Sequence, residues 1–583
     1  MKFFKKKQPS FYAPCQEIPT PKREKERYLD AATQKSLRTA KNRILIIGLA
    51  FLSLLFIIWG RLFYLTVLSY DKTPIKTSQW DTDEKLPRYN IVDRNGVVLA
   101  TTLTSWDISV NPKKVENPEE VAKKIHEKLP DLQEKELLQK LTSKSNFKYI
   151  KRGATPKELE AVNWLGYHFL TYEAVNTRAY PQGPLFSHIL GGVNIDNVGI
   201  SGIEKAFDNE LKKAQLQLSL DTSVQEAVRS NLLKSIEKFK ADGAFGLVMD
   251  IHTGELLASV SLPDYDPEKP VGKDPSVRFN MPTLGVYEFG SVLKLFNTAM
   301  ALENKIIKET DIIDASAPLK IGRKQIEDFR GQNRPLSTTE VLMHSSNIAS
   351  AKIALQAGYE KQREFLQRFH LFDKLSIPLP ERGTPIYNTK EKWADIETAN
   401  VAFGYGLATT ALHLAAGVSA LTNGGFYNVP TFLKEGNKNK PTTKVLDTEI
   451  SQKLRHMMWA VLNWDIWTKN VAKHYAVGGK TGTANIKEQG GYNTDKIRAS
   501  FVGVFPMDNP QYLVQVTLLN PQRLKETLML NNAGWNARPT GLNIISEIAP
   551  YLNVAPVTDY QPPEYVQQAI ETSLIKNKRK KAQ

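Results

Sequence analysis

The sequence predicts an α+β protein with two extramembrane domains behind one N-terminal transmembrane helix. At 583 residues, the chain is too long for a single ordinary domain. A long apolar run near the N-terminus is followed by segments with helical and strand patterns. After residue 240 the strand patterns are joined by turns or helices, and helices on both sides of an antiparallel sheet are the natural architecture for that order.

Composition and charge exclude several functions. The net charge of +16 could serve nucleic acid, but no recognisable nucleic-acid module accompanies it. We therefore expect no nucleic-acid partner and assign the charge to an anionic membrane or cell-wall surface, or to solubility alone. The single cysteine, Cys15, lies in the N-terminal tail, so disulfides and thiol chemistry are not expected. The nine histidines lack ligand spacing, and we expect no metal site and no cofactor.

The first 68 residues predict a tail and a membrane anchor. Residues 1–43 are polar and basic, which is typical of a disordered cytoplasmic tail. Residues 44–68 form an apolar run whose one charged residue is Arg61, long enough to span a bilayer. A cleaved signal peptide is the alternative, but the tail is long and no small-residue cleavage site follows. The excess of Lys and Arg before the run predicts a cytoplasmic N-terminus.

Residues 69–214 are predicted to form an accessory domain outside the membrane. The segment Asp93–Gly96 lies between alternating apolar positions and predicts a hairpin with an Asn-Gly turn. Residues 115–165 have a charged, helical pattern, and glycine-rich stretches between 178 and 207 predict loops. We find no catalytic constellation in this part of the sequence.

Residues 215–554 are predicted to form the second, larger domain, followed by a polar and basic tail, residues 555–583, that we expect to be solvated. Asp221–Phe239 has the pattern of an amphipathic helix. Ala244–Val260 has the pattern of two strands joined by a turn. Further strands are expected at 475–484, 499–505 and 512–519.

Ser291 and Lys294 form the first candidate catalytic pair. They lie three residues apart in Val286–Leu302, at an expected helix start, so their side chains share one face about one turn apart. A lysine can activate a serine only if burial or a neighbouring cation keeps the amine neutral. Taken alone, the pattern is more typical of a helix N-cap followed by a solvated lysine.

Two later motifs change that interpretation. Ser345 and Asn347 form a Ser-x-Asn triplet just after the capping-box pattern Ser337–Glu340, and Lys480–Thr483 reads Lys-Thr-Gly-Thr. The order Ser-x-x-Lys, Ser-x-Asn, Lys-Thr-Gly, separated by roughly 50 and then 130 residues, is the signature set of penicillin-binding proteins and serine β-lactamases. Together the motifs predict acyl transfer through a serine.

From the anchor to about residue 550 the chain resembles the class B penicillin-binding proteins, and among them the septal peptidoglycan D,D-transpeptidases. The resemblance implies an α+β transpeptidase domain, with a five-stranded antiparallel sheet and flanking helices, on an elongated pedestal of the dimerisation type. It also implies a single-pass inner-membrane enzyme with a periplasmic catalytic domain. The stretches that carry the resemblance are Asp93–Gly96, Asn194–Glu204, Tyr287–Lys294, His344–Asn347, Phe403–Gly406, Gly478–Thr483 and Ser500–Pro506.

The resemblance implies roles for the first two motifs. Ser291 is the expected acylated nucleophile, and Lys294 is its expected general base. Ser345 is expected to pass a proton to the leaving D-alanine. Asn347 is expected to hydrogen-bond the donor peptide or Lys294.

The third motif is implied to bind and polarise the substrate. Lys480 is expected to add a positive charge that helps to keep the lysine base neutral, and Thr481 and Thr483 to hold the substrate carboxylate. Gly482 is expected to let the strand run close to the substrate without a side chain in the way. The backbone N–H groups of Ser291 and Thr483 are the implied oxyanion donors.

The resemblance also implies partners. They are peptidoglycan stem peptides ending in D-Ala-D-Ala, β-lactams as covalent inhibitors, and an FtsW-type glycan polymerase with other division proteins in the membrane. Two alternatives stay open: an elongation-specific transpeptidase of the same class, and a membrane-anchored β-lactam-sensing receptor. The short tail holds no recognisable output domain, which argues against the receptor. A class A enzyme would need a glycosyltransferase domain, and a β-lactamase would need an extra base for deacylation.

Overall fold

The computed structural model of the protein describes residues 31–63, 88–269, 275–436, 442–464, 474–488, 491–557 and 559–582. The chain divides into two compact units, residues 1–84 and residues 85–583. In the first unit, helix α1 (Ala31–Phe63) contains the segment Arg38–Gly60, which is long and apolar enough to cross a membrane.

Helix α1 begins earlier than the sequence pattern predicts. Residues 44–63 are helical, as the apolar run predicts. Residues 31–43, which we predicted to be disordered, belong to the same helix, because Ala, Gln, Lys, Leu and Arg are strong helix formers even in a polar segment. Residues 1–30 of the predicted tail and 64–68 of the predicted anchor lie outside the described residues.

The second unit begins with a pedestal, residues 88–217, that has its own small sheet. Its helices are α2 (Pro118–Lys128), α3 (Glu134–Leu141), α4 (Pro156–Asn163), α5 (Ser187–Leu190) and α6 (Gly202–Ala206). Its strands are β1 (Ile91–Val92), β2 (Val98–Val110), β3 (Lys148–Ala154), β4 (Leu170–Ala179), β5 (Gly192–Val193), β6 (Gly199–Ser201) and β7 (Leu216–Gln217).

The long strand β2 organises the pedestal sheet. It pairs antiparallel with β1, β3 and β4, and β7 pairs parallel with β1. Helices α2, α3 and α4 cover this sheet around an apolar core that includes Ile108, Ile125, Leu137 and Val162. The predicted hairpin is confirmed between β1 and β2. Its turn is centred on Arg94 and Asn95, since the N–H of Gly96 bonds the carbonyl oxygen of Asp93, so the predicted Asn-Gly turn was wrong by one residue. Gly96 follows with φ +89°, a conformation that glycine adopts readily.

Asp93, in the turn of this hairpin, connects the pedestal to the second domain. One carboxylate oxygen accepts hydrogen bonds from the backbone N–H groups of Asn95 and Val97, at 2.8 and 2.9 Å. The other accepts from the N–H and the hydroxyl of Thr222, at 3.1 and 2.7 Å. Asp93 is fully buried, so the hairpin turn and the start of the next helix are held by the same carboxylate.

A buried ion cluster lies behind the hairpin. The guanidinium groups of Arg88 and Arg178 both bond the carboxylate of Glu204, and the side chains of the three residues are at most 1% exposed. Arg88 also pairs with Asp208 at 2.6 Å. Two cations face two carboxylates here, and removal of one carboxylate would leave a buried charge without compensation.

The second domain, residues 218–582, contains a larger sheet and most of the helices. Its helices are α7 (Thr222–Phe239), α8 (Met281–Leu284), α9 (Lys294–Glu303), α10 (Thr338–Met343), α11 (Asn347–Ala357), α12 (Tyr359–Arg368), α13 (Asp395–Ala402), α14 (Ala411–Thr422), α15 (Thr448–Asn463), α16 (Ala537–Ile548) and α17 (Glu564–Ala582). Its strands are β8 (Gly243–Asp250), β9 (Leu256–Leu262), β10 (Ile312–Asp314), β11 (Leu319–Ile321), β12 (Lys324–Ile326), β13 (Pro335–Ser337), β14 (Ile386–Tyr387), β15 (Leu407–Ala408), β16 (Phe426–Tyr427), β17 (Thr443–Lys444), β18 (Gly478–Glu488), β19 (Gly491–Phe505) and β20 (Tyr512–Leu519).

The large sheet has the order β18-β19-β20-β8-β9, and all neighbours in it are antiparallel. The five-stranded antiparallel sheet is therefore confirmed. On one face, Phe501 of β19 packs against Gly541 of α16, and Leu232 of α7 packs against Gly246 of β8. Helix α14 is buried along its whole length and packs on the sheet beside α9, as expected for a helix that is apolar on all sides.

The C-terminal segment differs from the solvated tail that we predicted. Helix α17 buries Val566, Ala569 and Ser573, whose residues are at most 4% exposed. Val566 and Ala569 pack against Met343 of α10 and Ala460 of α15. The buried positions recur every three or four residues and form one narrow stripe on an otherwise polar helix. The prediction from overall composition was wrong because that stripe is too narrow to affect it.

Replacement of Glu204 should destabilise the protein. Glu204→Ala leaves two buried guanidinium groups short of a carboxylate, which should cost about 3–5 kcal/mol in the free energy of unfolding. We expect the melting temperature of the full chain in detergent to fall by several degrees. Glu120→Ala is the control, because its ion pair with Lys124 lies on the surface and should contribute little. Equal melting temperatures for the two variants would contradict the assignment.

Candidate active site

Ser291 and Lys294 are brought together by a change of helix type. Ser291 lies in a 3-10 turn, Gly290–Leu293, and Lys294 is the first residue of α9. Side chains three residues apart are eclipsed in a 3-10 turn. Lys294 Nζ consequently lies 3.0 Å from Ser291 Oγ, and the predicted shared face of this pair is confirmed.

Lys294 is fully buried and surrounded by hydrogen-bonding groups of the second motif. Its Nζ bonds the backbone carbonyl oxygen of Ser345, and it lies 2.7 Å from Asn347 Oδ1 and 3.2 Å from Ser345 Oγ. Burial lowers the pKa of Lys294 well below its usual 10.5, the charge of Lys480 lowers it further, and the carboxylate of Asp328 opposes both. Burial and the neighbouring cation therefore favour the neutral form of this amine.

Ser345 lies in the turn between α10 and α11. Its backbone has φ +55°, a left-handed conformation that costs free energy in a residue with a side chain and persists where neighbouring contacts hold it. In this position Ser345 Oγ accepts a hydrogen bond from Lys480 Nζ at 2.9 Å and lies 3.2 Å from Lys294 Nζ. One serine hydroxyl therefore connects the two buried amines.

Asp328 orients the second motif from outside it. Its carboxylate accepts hydrogen bonds from the hydroxyl of Ser346 and from the backbone N–H groups of Asn347 and Ile348, at the start of α11. Asn347 Nδ2 donates to the carbonyl oxygen of Glu327 at 2.9 Å, which turns its Oδ1 toward the lysine amine. Asp328 was missed by the sequence analysis, because nothing in the local pattern links this loop residue to the motif.

Lys480 lies on β18 opposite the turn that contains Ser345. It is 1% exposed, and burial lowers the pKa of its amine to about 7. Besides Ser345 Oγ, its Nζ bonds the carbonyl oxygen of Thr481 at 3.1 Å. The third motif thus enters the same cluster as the first two, as the signature set predicts.

Gly482 has a structural role besides the predicted approach to the substrate, which stays a prediction. A Cβ atom at this position would lie 2.0 Å from the carbonyl oxygen of Phe289, so glycine is required for β18 to pass the backbone that leads into Ser291. The contact that the structure describes is with the protein's own backbone beside the 3-10 turn of Ser291.

Thr481 and Thr483 are half-buried on the same strand. Thr483 Oγ1 accepts a hydrogen bond from the backbone N–H of Ala533 at 3.1 Å, which links β18 to the loop before α16. The backbone of Thr483 also lies against the 3-10 turn of Ser291, because a Cβ atom on Gly290 would come within 2.7 Å of the carbonyl oxygen of Thr483. These two threonines therefore border the cluster on the side of β18.

A second group of polar side chains is joined by Glu288, which lies shortly before Ser291 in the chain. Glu288 Oε1 accepts hydrogen bonds from the backbone N–H of Gly406 at 2.8 Å and from the hydroxyl of Tyr492 at 2.9 Å. The ring of Tyr405 packs edge-on against Tyr492, with ring centroids 5.3 Å apart. Glu288 and Tyr492 were not predicted as site residues, since they are far apart in sequence and belong to no recognised spacing.

The cluster has the chemical elements of a serine acyltransferase site. A buried neutral amine can accept the proton of the neighbouring serine hydroxyl as that oxygen attacks a carbonyl carbon. The hydroxyl of Ser345 lies within hydrogen-bond distance of the Lys294 amine and of a second buried amine, that of Lys480. Among the residues that the structure describes, no group of three or more His, Cys, Asp or Glu side chains is placed to hold a metal ion.

Two family models match the chain. The penicillin binding protein transpeptidase domain matches residues 244–539, and the penicillin-binding protein dimerisation domain matches residues 83–215. The probable peptidoglycan D,D-transpeptidase FtsI of Caulobacter vibrioides is 32% identical over 488 residues, which cover 81% of this chain and 82% of that protein. Stage V sporulation protein D of Bacillus subtilis is 29% identical over 572 residues, which cover 89% and 87%.

A solved structure has the same fold. Penicillin binding protein 3 of Mycobacterium tuberculosis, complexed with aztreonam, aligns with a TM-score of 0.64 and 22% sequence identity. The alignment covers 82% of this chain and 98% of that chain. At this identity the likeness concerns the fold.

Two single substitutions should move the pKa of Lys294 in opposite directions. Asp328→Asn removes a negative charge, so protonation of Lys294 becomes harder and its pKa should fall. Lys480→Gln removes a positive charge, so protonation becomes easier and the pKa should rise. The pKa can be followed by NMR of lysine side chains labelled with ¹³C at Cε, in the full chain in detergent. Asp314→Asn is the surface control and should leave the pKa of Lys294 unchanged. Shifts of one sign for Asp328→Asn and Lys480→Gln would contradict the electrostatics described above.

Proposed function

The chain belongs to the class B penicillin-binding proteins, and we propose that it cross-links peptidoglycan stem peptides ending in D-Ala-D-Ala through an acyl-enzyme on Ser291. The observation that carries this proposal is the fully buried Lys294 amine at 3.0 Å from Ser291 Oγ. A buried amine is available as a base at neutral pH, and the adjacent hydroxyl is the group that it can activate.

The hydrogen bonds around Lys294 leave its lone pair for Ser291. A neutral amine has two N–H groups and one lone pair. The carbonyl oxygen of Ser345 and Oδ1 of Asn347 can only accept, so they take the two N–H groups. The lone pair then accepts the hydroxyl proton of Ser291, whose oxygen attacks the carbonyl carbon of the penultimate D-alanine.

The proton then has a short path to the leaving group. When the tetrahedral intermediate collapses, its C–N bond breaks and the terminal D-alanine needs a proton on its nitrogen. Ser345 Oγ lies within 3.2 Å of Lys294 Nζ and 2.9 Å of Lys480 Nζ, so it can donate its proton to the nitrogen and recover one from a lysine. The backbone N–H groups of Ser291 and Thr483 are the proposed oxyanion donors.

The third motif is the proposed site of the substrate carboxylate. Thr481 and Thr483 offer hydroxyl groups beside Lys480, and a protonated Lys480 adds a positive charge. Deacylation reverses the steps, because the amine of an acceptor stem peptide attacks the ester and its proton returns through the same groups to Ser291 Oγ. A β-lactam enters the first half of this sequence, since its ring amide acylates Ser291 and the ring nitrogen stays attached.

Loss of Ser291 should abolish acylation while the fold persists. We expect a membrane-impermeant fluorescent penicillin to label the full chain in spheroplasts, and Ser291→Ala to lose at least about 100-fold of that labelling because no other hydroxyl replaces the nucleophile. The adduct should outlast a chase with unlabelled penicillin. Ser316→Ala, at a serine outside the site, is the control.

Four outcomes would contradict parts of this proposal. Labelling that survives in Ser291→Ala would reject the nucleophile, and rapid loss of the adduct would favour a hydrolase. Labelling only after lysis of the spheroplasts would reject the proposed orientation. A stable adduct without exchange of D-alanine on D-Ala-D-Ala peptides would favour a β-lactam-sensing receptor.

The proposed place of action is the division septum. FtsI is the name of the 32% identical relative, and the apolar segment Arg38–Gly60 has the length of a single membrane anchor. The basic residues before this segment favour a cytoplasmic N-terminus with the catalytic domain in the periplasm. By analogy, an FtsW-type glycan polymerase would supply the strands that the enzyme cross-links, and other division proteins would surround the pair.

Replacement of the anchor should separate location from chemistry. If the anchor recruits the enzyme to an FtsW-type polymerase, a chain whose residues 38–60 are exchanged for an unrelated spanning helix should keep penicillin labelling but lose midcell enrichment and co-purification with the polymerase. The unaltered chain with the same fluorescent fusion is the control. Unchanged co-purification after removal of both the anchor and the pedestal would reject the partner, and even distribution of the unaltered chain along the sidewall would favour the elongation-specific alternative.

A further inference from the structure

The C-terminal helix α17 docks on the element that leads into Ser345. Helix α10, Thr338–Met343, ends two residues before Ser345. The side chains of Val566 and Ala569 on α17 pack against Met343 at the end of α10. The next buried position on the same stripe of α17 is Ser573, which is 1% exposed.

Ser573 forms hydrogen bonds with Glu340 of α10 and with His344, the residue that caps the C-terminal end of α10. Its Oγ donates to Glu340 Oε1 at 3.0 Å and lies 3.0 Å from His344 Nε2. Although burial opposes ionisation, the hydrogen bonds from Arg334 lower the pKa of Glu340, so its carboxylate can only accept. The single hydroxyl proton of Ser573 goes to that carboxylate, and the proton of the second bond must come from His344 Nε2.

This chain of hydrogen bonds fixes the ring of His344. Burial and then the charge of Arg334 lower the pKa of His344 to about 4, so the ring is neutral and carries one proton. The bond to Ser573 places that proton on Nε2. The ring is held on its other side by Trp464, whose ring packs edge-on at a centroid distance of 4.9 Å.

His344 is the residue before Ser345, whose φ is +55°. A left-handed serine keeps its conformation only if its neighbours are held. On the C-terminal side Asp328 holds the backbone N–H groups of Asn347 and Ile348. On the N-terminal side, backbone hydrogen bonds join Ser345 and Ser346 to α10. The ring of His344, docked against Ser573 and Trp464, is a further hold on this side.

We propose that Ser573 is a positioning residue that sets Ser345 between the two buried lysines. It touches neither lysine and acts through His344 and Glu340. The proposal rests on the proposed function, in which Ser345 relays the proton to the leaving group. A misplaced Ser345 slows this proton transfer, whereas the non-covalent binding of a β-lactam at β18 does not depend on it.

The test separates binding from acylation in the full-length chain in detergent. A fluorescent penicillin is mixed rapidly with the chain, and its non-covalent Kd and first-order acylation rate constant are obtained from the concentration dependence. In Ser573→Ala we expect the rate constant to fall about three- to tenfold, the order of one lost hydrogen bond in a preorganised site. The Kd should stay within about twofold.

Three further variants distinguish positioning by Ser573 from general support by the helix. Ser573→Thr keeps the hydroxyl and should restore the rate constant to within about twofold. Gln567→Ala removes a hydrogen bond on the exposed side of the same helix, where Gln567 Nε2 donates to the carbonyl oxygen of Pro562, and should acylate at the unaltered rate. A chain ending at residue 563 should lose at least as much rate as Ser573→Ala.

The outcomes that overturn the proposal are distinct from a failure of the proposed function. An unchanged rate constant in Ser573→Ala, or an equal loss in Gln567→Ala, rejects the positioning role while acylation of the unaltered chain still supports a penicillin-binding transpeptidase. A truncated chain that acylates at the unaltered rate rejects the role of α17. Absence of acylation in the unaltered chain rejects the proposed function and the inference that rests on it.

Discussion

The contact between Lys294 Nζ and Ser291 Oγ, at 3.0 Å, is useful for catalysis only if the lysine carries no charge. The fold meets that condition by burial, because Lys294 is enclosed by α9, the second motif and β18. A second buried cation, Lys480, adds to the effect. Burial of two lysines costs stability, and the carbonyl, amide and hydroxyl partners around them offset part of that cost. The surrounding sheet and helices can thus be understood as a support that keeps the Lys294 amine neutral, whereas in water this amine would be protonated.

Much of the fold and the centre of the site could be predicted from sequence. The five strands of the large sheet have apolar or alternating patterns, and the helix that begins at Thr222 is amphipathic, so local periodicity was sufficient. The three motifs are recognisable because each places its reacting groups within a few neighbouring residues. The long stretches of chain between the motifs do not show how the motifs are arranged in space. That they meet around Lys294 was predicted from resemblance to a family.

The residues that the sequence did not reveal act across long distances in the chain. Asp328 bonds the second motif from a loop 19 residues earlier in the chain, and Glu288 bonds Tyr492, which lies 204 residues later. Neither pair has a characteristic spacing, since the fold brings them together. Gly482 was found for a different reason from the one the structure gives, because a sequence does not show which backbone will lie beside a strand. The stripe on α17 is too short to alter a composition that is polar throughout.

The docking of the C-terminal helix affects how gene sequences of this kind should be judged. All three motifs end by Thr483, whereas Ser573 lies 90 residues further along the chain. A gene that is interrupted by a frameshift or a stop codon after the third motif would pass a motif search as intact. Its product would still lack the helix that packs against Met343 and bonds Glu340. A description of this active site is therefore complete only when it includes helix α17.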